Sequence, residues 1–160
     1  MQSPPSAPDW SMSGHPRETV VLAWVRLTRA QQKALSSIEQ ALRQAKLPPL
    51  AWYDVLLELE RAGGSLRPFE LERAMLLAQY NLSRLIDRME EAGYVARRTR
   101  KEDRRGQDIV ITSAGKSLRR RMWAVYGPAI QAAIGDCLWP KQVDALSALL
   151  GGLIEKLPGK

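Results

Sequence analysis

One cysteine, Cys137, and one histidine, His15, are all that the 160 residues offer of either type. The first scarcity excludes an intramolecular disulfide framework and a Cys-rich zinc site, and the second leaves little from which to build a His-based metal centre or catalytic triad. Charges interrupt every apolar stretch well before the roughly 18 residues that a membrane-spanning helix needs. The N-terminal residues 1–16 are rich in Pro and Ser and lack a cationic start followed by an apolar run, so they do not form a secretory signal. These absences lead to the expectation of a cytoplasmic protein that uses neither a metal nor a cofactor. At 45% hydrophobic and 26% charged, the chain is neither disordered nor collagen-like in composition, and its length suits one ordinary domain with a real core.

The chain carries 24 Lys and Arg against 17 Asp and Glu, a formal charge of +7. Arg97 to Arg121 contains Arg97, Arg98, Arg100, Lys101, Arg104, Arg105, Lys116, Arg119, Arg120 and Arg121 against only Glu102, Asp103 and Asp108. That one segment accounts for the whole excess, and the remainder is balanced. A neutral body with one concentrated basic block suits a polyanionic partner.

Hydrophobic periodicity supplies the elements. Residues 1–16 are expected to be a flexible tail, with packing on a partner subunit as the alternative. From Arg17 to Lys46 there is no Pro or Gly, and Val20, Trp24, Leu27, Leu35, Ile38 and Leu42 trace one face of a long amphipathic helix that Pro48 and Pro49 end. A second helix is expected from Leu50 to Ala62 with Trp52, Val55, Leu56 and Leu59 on its apolar face, stopped by Gly63 and Gly64. A short strand at Ser65 to Arg67 precedes Pro68, which opens a helix reaching Leu76. After a turn at Leu77 and Ala78, Gln79 to Ala92 is predicted helical, with Leu82, Leu85, Ile86 and Met89 spaced for burial. Tyr94 to Arg98 and Gln107 to Ile111 are β-prone and flank a charged tip, Thr99 to Gly106, which together read as a β-hairpin. Thr112 or Ser113 caps a long helix that Gly127-Pro128 should bend. The last helix follows Pro140, with Val143, Leu146, Leu150, Leu153 and Leu157 on one side.

Helix, short strand, helix, turn, helix and charged hairpin is a winged helix-turn-helix layout, in which the second helix of the pair enters the major groove and the hairpin tip reaches phosphates or the minor groove. The fold class is thus mainly α (α+β): an N-terminal helix, 17–46, and C-terminal helices, 112–157, flanking a winged helix-turn-helix DNA-binding domain at 47–111. Three pieces of sequence also resemble one family. L-R-P-F-E-L at Leu66 to Leu71, N-L-S-R-L-I-D-R-M-E-E-A-G-Y-V at Asn81 to Val95, and E-D-R-R-G-Q-D-I-V-I-T-S-A-G at Glu102 to Gly115 are similar to the first helix, the recognition helix with its exit strand, and the Asp-x-Arg wing with its Thr-x-x-Gly helix start in MarR-type transcriptional regulators. Leu76 and Ala78 depart from the Gly and Ser that family members often carry around the inter-helix turn.

The resemblance implies a homodimer formed by the N-terminal helix and the last two helices, binding a pseudo-palindromic double-stranded DNA operator. Its most expected activity is that of a repressor relieved by a small aromatic or phenolic ligand. Gln79, Tyr80, Asn81, Ser83, Arg84 and Arg88 are candidates for base or phosphate contact, since amides suit adenine, arginine suits guanine and hydroxyls suit phosphate. Arg98, Arg100, Lys101 and Arg104 are phosphate candidates. Arg105 matches the wing arginine, and Asp103 is expected to orient it through paired hydrogen bonds. Of Arg119, Arg120 and Arg121, at most one or two can face DNA, and ion pairing or solvent better suits the rest. Trp24, Trp52, Tyr53, Trp123 and Tyr126 are candidates for a ligand pocket, with ordinary core packing as the alternative. Cys137, beside Leu138 and Trp139, is expected to be buried and inert. An enzyme lacks its chemistry here, with no phosphate-cradling glycine loop and no isolated pair of buried carboxylates. An RNA-binding winged domain and a protein-interaction module without ligand response remain as alternatives.

Overall fold

The computed structural model describes residues 14–76, 81–99 and 106–158. Along the chain run α1 (Glu18–Gln44), α2 (Leu50–Arg61), β1 (Ser65–Leu66), α3 (Pro68–Ala74), α4 (Leu82–Glu91), β2 (Val95–Thr99), β3 (Gln107–Ile111), α5 (Ser113–Ala133), a single 3-10 turn (Gly135–Cys137) and α6 (Pro140–Lys156). The chain divides into two compact units, Met1–Ser36 and Ser37–Lys160.

In the first unit, α1 is solvent-facing, with Val20, Val21, Leu22, Trp24 and Leu27 all exposed. The stop of α1, in the second unit, comes before the two prolines. Lys46 adopts a left-handed φ of 56° while the Leu47 N–H reaches back 2.9 Å to the Leu42 carbonyl, a C-terminal cap that satisfies the last turn.

The second unit is organised around α2. Its Ala51, Val55, Leu56 and Leu59 are fully buried with Leu42, Leu71, Met89, Leu118 and Met122 from α1, α3, α4 and α5. Each such Leu or Met removes enough apolar surface to contribute about 2 kcal/mol. Among the described residues the sheet has three antiparallel strands in the order β1-β3-β2. The register pairs Val95 with Ile111, Arg97 with Ile109 and Thr99 with Gln107, while β1 adds Ser65 opposite Val110. The period-2 alternation of β3 drives this arrangement, because Ile109 and Ile111 turn into the core on one face.

Two local features set the geometry of the reading head. Gly93, at a φ of 79°, turns the end of α4 into β2, a conformation that a side chain would strain. Thr112 Oγ1 accepts the Gly115 N–H at 3.0 Å and donates to the Gly93 carbonyl at 2.7 Å, so the start of α5 is fastened to the α4–β2 corner. The helix α5 then runs from Ser113 to Ala133 with Pro128 inside it. No helix among the described residues is long and apolar enough to cross a membrane.

Candidate nucleic-acid interface

The α4 helix begins at Leu82, three residues later than its apolar spacing suggested. The cause is Asn81, whose Oδ1 accepts the Arg84 N–H at 3.2 Å and so caps the first turn. Leu85, Ile86 and Met89 are buried, which fixes the rotation of the helix and leaves Ser83, Arg84, Asp87, Arg88 and Glu91 outside. Asn81, Ser83, Arg84 and Arg88 thus sit exposed at the start and along one side of α4. Arg88 Nε donates to the backbone carbonyl of Arg84, one helical turn earlier, at 3.4 Å. Arg98 is exposed on β2. Arg84, Arg88 and Arg98 form no ion pair with another described residue. Gln79, Tyr80, Arg100, Lys101, Asp103, Arg104 and Arg105 lie outside the described residues, as does the N-terminal tail up to residue 13.

One basic residue of the same block has another employment. Arg97 Nη2 lies 2.5 Å from Asp87 Oδ1, Arg97 Nη1 donates to Glu90 Oε2, and the Arg97 backbone N–H donates to Glu90 Oε1 at 2.9 Å. Burial lowers the basicity of this guanidinium, yet the hydrogen bonds to Asp87 and Glu90 outweigh it and hold the group above its ordinary pKa. Strand β2 is thereby strapped to α4, and the inner acidic edge of α4 is neutralised. Sequence reasoning missed Arg97 as a functional residue because a charge count treats all arginines of a run alike. The i to i+3 pair Asp87 and Glu90, on the side of α4 that precedes β2, was the available signal. Arg119 follows the ion-pair expectation and joins Glu60, linking α5 to α2.

The aromatic candidates separate into two groups. Tyr53, Trp123 and Tyr126 form a three-ring cluster, with Tyr53 stacked against Trp123 at 6.0 Å and both edge-on to Tyr126 at 5.0 and 5.7 Å. They border a cavity of about 220 Å³ whose other walls include Leu50, Asp54, Leu57, Arg61, Leu76 and Ile130. Burial, then Tyr53 and then Asp54 push the Tyr126 phenol above its ordinary value. Trp52, expected beside them, does not border this cavity. Its ring packs edge-on against Tyr94 at 5.8 Å, a placement set by its position one residue before Tyr53 on α2. Trp24 belongs to the first unit, where it is 68% exposed. Cys137, expected to be buried, is exposed in the 3-10 turn, since the neighbouring Trp139 turns outward and supplies no cover. No group of three or more metal-ligating side chains occurs among the described residues.

A family model described as the MarR family matches residues 47–106, the stretch from α2 through β2 into the wing. Over those residues the chain is similar to the MarR family. An uncharacterized HTH-type transcriptional regulator of Bacillus cereus is 30% identical over 100 residues, which is 62% of this chain and 65% of that protein. The chain therefore spans somewhat less than two thirds of the curated relatives it matches. Over 92% of this chain, the structure is similar to that of Sco3205, a MarR family transcriptional regulator from Streptomyces coelicolor in complex with DNA, with a TM-score of 0.78, 26% identity and 94% of that chain covered. AbsC, another MarR family regulator of the same organism, has a TM-score of 0.75 at 25% identity, covering 88% of this chain and 95% of its own.

Proposed function

We propose that this chain is a homodimeric, sequence-specific DNA-binding transcriptional regulator of the MarR type that acts as a repressor and is released by a small aromatic or phenolic ligand. The observation that carries the DNA-binding reading is the exposed row Asn81, Ser83, Arg84 and Arg88 on α4, beside a two-stranded wing that bears Arg98. The likeness to Sco3205, whose structure contains DNA, supports it. Arg105, steered by Asp103, is assigned to the minor groove, with Arg100, Lys101 and Arg104 on phosphates and Gln79 and Tyr80 at the start of the reading surface.

The dimer reading is supported by apolar residues that find no cover in one chain. None of α6 is buried, and Leu146, Leu149, Leu153, Ile154 and Leu157 are exposed along it. A run of that kind on a single soluble chain is the signature of a surface covered by another copy. The ligand reading is supported by the cavity beside Tyr53, Trp123 and Tyr126.

The deciding experiment is fluorescence anisotropy of the full chain on DNA flanking its own gene, across a salt series, with light scattering to count subunits. The expected outcome is a dimer whose log K falls linearly with log salt, by about 0.9 per neutralised phosphate. Full operator affinity in Arg105→Ala, or no binding by the unaltered chain, would overturn the reading.

A further inference from the structure

A groove of about 630 Å³ opens between the start of α3 and the start of α4, with Pro68 and Phe69 on the α3 side, Asn81 and Ser83 on the α4 side and the buried Ile86 and Ile109 beneath. Asn81 and Ser83 belong to the exposed row assigned to DNA, so a duplex lying against that row also meets this groove. Phe69, the chain's one phenylalanine, is 52% exposed there, and the guanidinium carbon of Arg67 stands 5.9 Å from the centre of its ring. The attraction between cation and ring places the Arg67 side chain at the mouth of the groove. Arg67 is exposed and forms no ion pair with another described residue. Its backbone N–H, by contrast, donates to Glu70 Oε2 at 2.9 Å, so the first turn of α3 is fixed without the side chain. Two other charged residues border the groove. Arg97 is held by Asp87 and Glu90, and Glu72, about one turn beyond Phe69 on α3, disfavours an anion at its own end. The Arg67 end is left as the seat for one.

We propose that Arg67 and Phe69 extend the DNA interface onto α3 as a clamp for one sugar-phosphate unit, with the Arg67 guanidinium on the phosphate and the Phe69 ring against the neighbouring deoxyribose. The proposal rests on the reading of α4 as the helix that enters the major groove. In a helix-turn-helix the first helix crosses the DNA backbone while the start of the second meets base edges. Here the first helix is α3, and because its first residues share a groove with the first residues of α4, the strand that flanks α4 runs past Phe69. A helix that crosses the backbone meets phosphate and sugar before it meets a base. The planar guanidinium suits that partner, since it offers paired N–H donors to two phosphate oxygens. Phe69, half in water in the free chain, loses that exposure when the apolar side of a sugar covers it, which gives the clamp a share that salt does not screen. Such a contact carries no sequence information, and its effect is to fix the register in which α4 sits on the duplex.

The test measures fluorescence anisotropy of the full chain and its variants across a salt series, on a duplex from the DNA flanking its own gene and on a random-sequence duplex of the same length. Arg67→Ala is expected to weaken binding to both duplexes roughly tenfold, the worth of one charge-assisted hydrogen bond. It is also expected to lower the slope of log K against log salt by about 0.9 on both. Arg67→Lys is expected to restore the slope, and Phe69→Ala to weaken binding with the slope unchanged. Arg73→Ala removes the same charge from the other end of α3, outside the groove, and is expected to leave the slope as it is. Because the backbone N–H of Arg67 and not its side chain bonds Glu70, Arg67→Ala should keep its melting temperature; if it does not fold, Arg67→Gln is read in its place. An unchanged slope in the folded Arg67 variant, a loss confined to the gene-flanking duplex, or an equal fall in slope in Arg73→Ala overturns the clamp and leaves the regulator reading standing. Binding of neither duplex by the unaltered chain overturns both.

Discussion

Replacing Gly115 by alanine tests whether the start of α5 is positioned by close backbone packing. In an ordinary helix interior this substitution stabilises by about 1 kcal/mol, because alanine has the better helix propensity. Here a Cβ would lie 2.2 Å from the Tyr94 carbonyl oxygen, 3.0 Å from Ile111 Cγ1 and 3.1 Å from Leu56 Cδ2. The two side-chain contacts can relax by small rotations, but the carbonyl cannot. It accepts the Thr112 N–H at 3.2 Å, and Thr112 in turn is fastened to Gly93 and to the Gly115 N–H. Relieving the overlap therefore requires α5 to withdraw from the α4–β2 corner, an overpacking cost of about 1–3 kcal/mol that outweighs the propensity gain. Net of that gain, a loss of up to about 2 kcal/mol remains, so for a chain of this length the melting temperature should fall by about 2–8 °C. Thermal denaturation followed by circular dichroism reads the sign directly. Because α5 leads from the wing into the body, DNA affinity should fall with stability rather than independently of it. A melting temperature raised by a degree or more would refute the packing argument, since Gly115 would then behave as a helix glycine with open space beside it.

Arg97→Ala should weaken DNA binding without changing its salt dependence, because the guanidinium is engaged by Asp87 and Glu90 rather than by phosphate. A double-mutant cycle with Glu90→Gln should give a coupling on the order of 1 kcal/mol, kept small by the 24%, 59% and 37% side-chain exposure of Arg97, Asp87 and Glu90. Arg84→Ala and Arg88→Ala should instead lower both the affinity and the slope of log K against log salt, by about 0.9 for each phosphate left without its arginine; an unchanged slope in both would remove them from the interface. Alkaline titration should show Tyr126 ionising later than an ordinary tyrosine, read as ultraviolet absorbance of the phenolate and its loss in Tyr126→Phe. Since burial, Tyr53 and Asp54 raise this group in the folded chain, its stabilising contribution is complete below about pH 10 and is lost as pH climbs through the raised folded value.

Much of the fold was legible because periodicity reports burial. Leu85, Ile86 and Met89 on α4 lie where their spacing placed them, and the β-prone run Ile109 to Ile111 falls in strand β3. Boundaries were less legible where one polar side chain decides them. Asn81 could have been the third residue of a helix starting at Gln79, and only its hydrogen bond to Arg84 makes it a cap. The candidate site divides in the same way. Exposure of Ser83, Arg84 and Arg88 follows from helical phase alone, whereas the strap through Arg97 depends on which strand residue faces α4, a matter of register that no local pattern encodes. Trp52 and Tyr53 are neighbours with opposite fates for the reason that a helix turns about 100° per residue, so both could not line one cavity. Cys137 was misjudged because apolar neighbours in sequence do not guarantee cover in space; Trp139 is itself exposed.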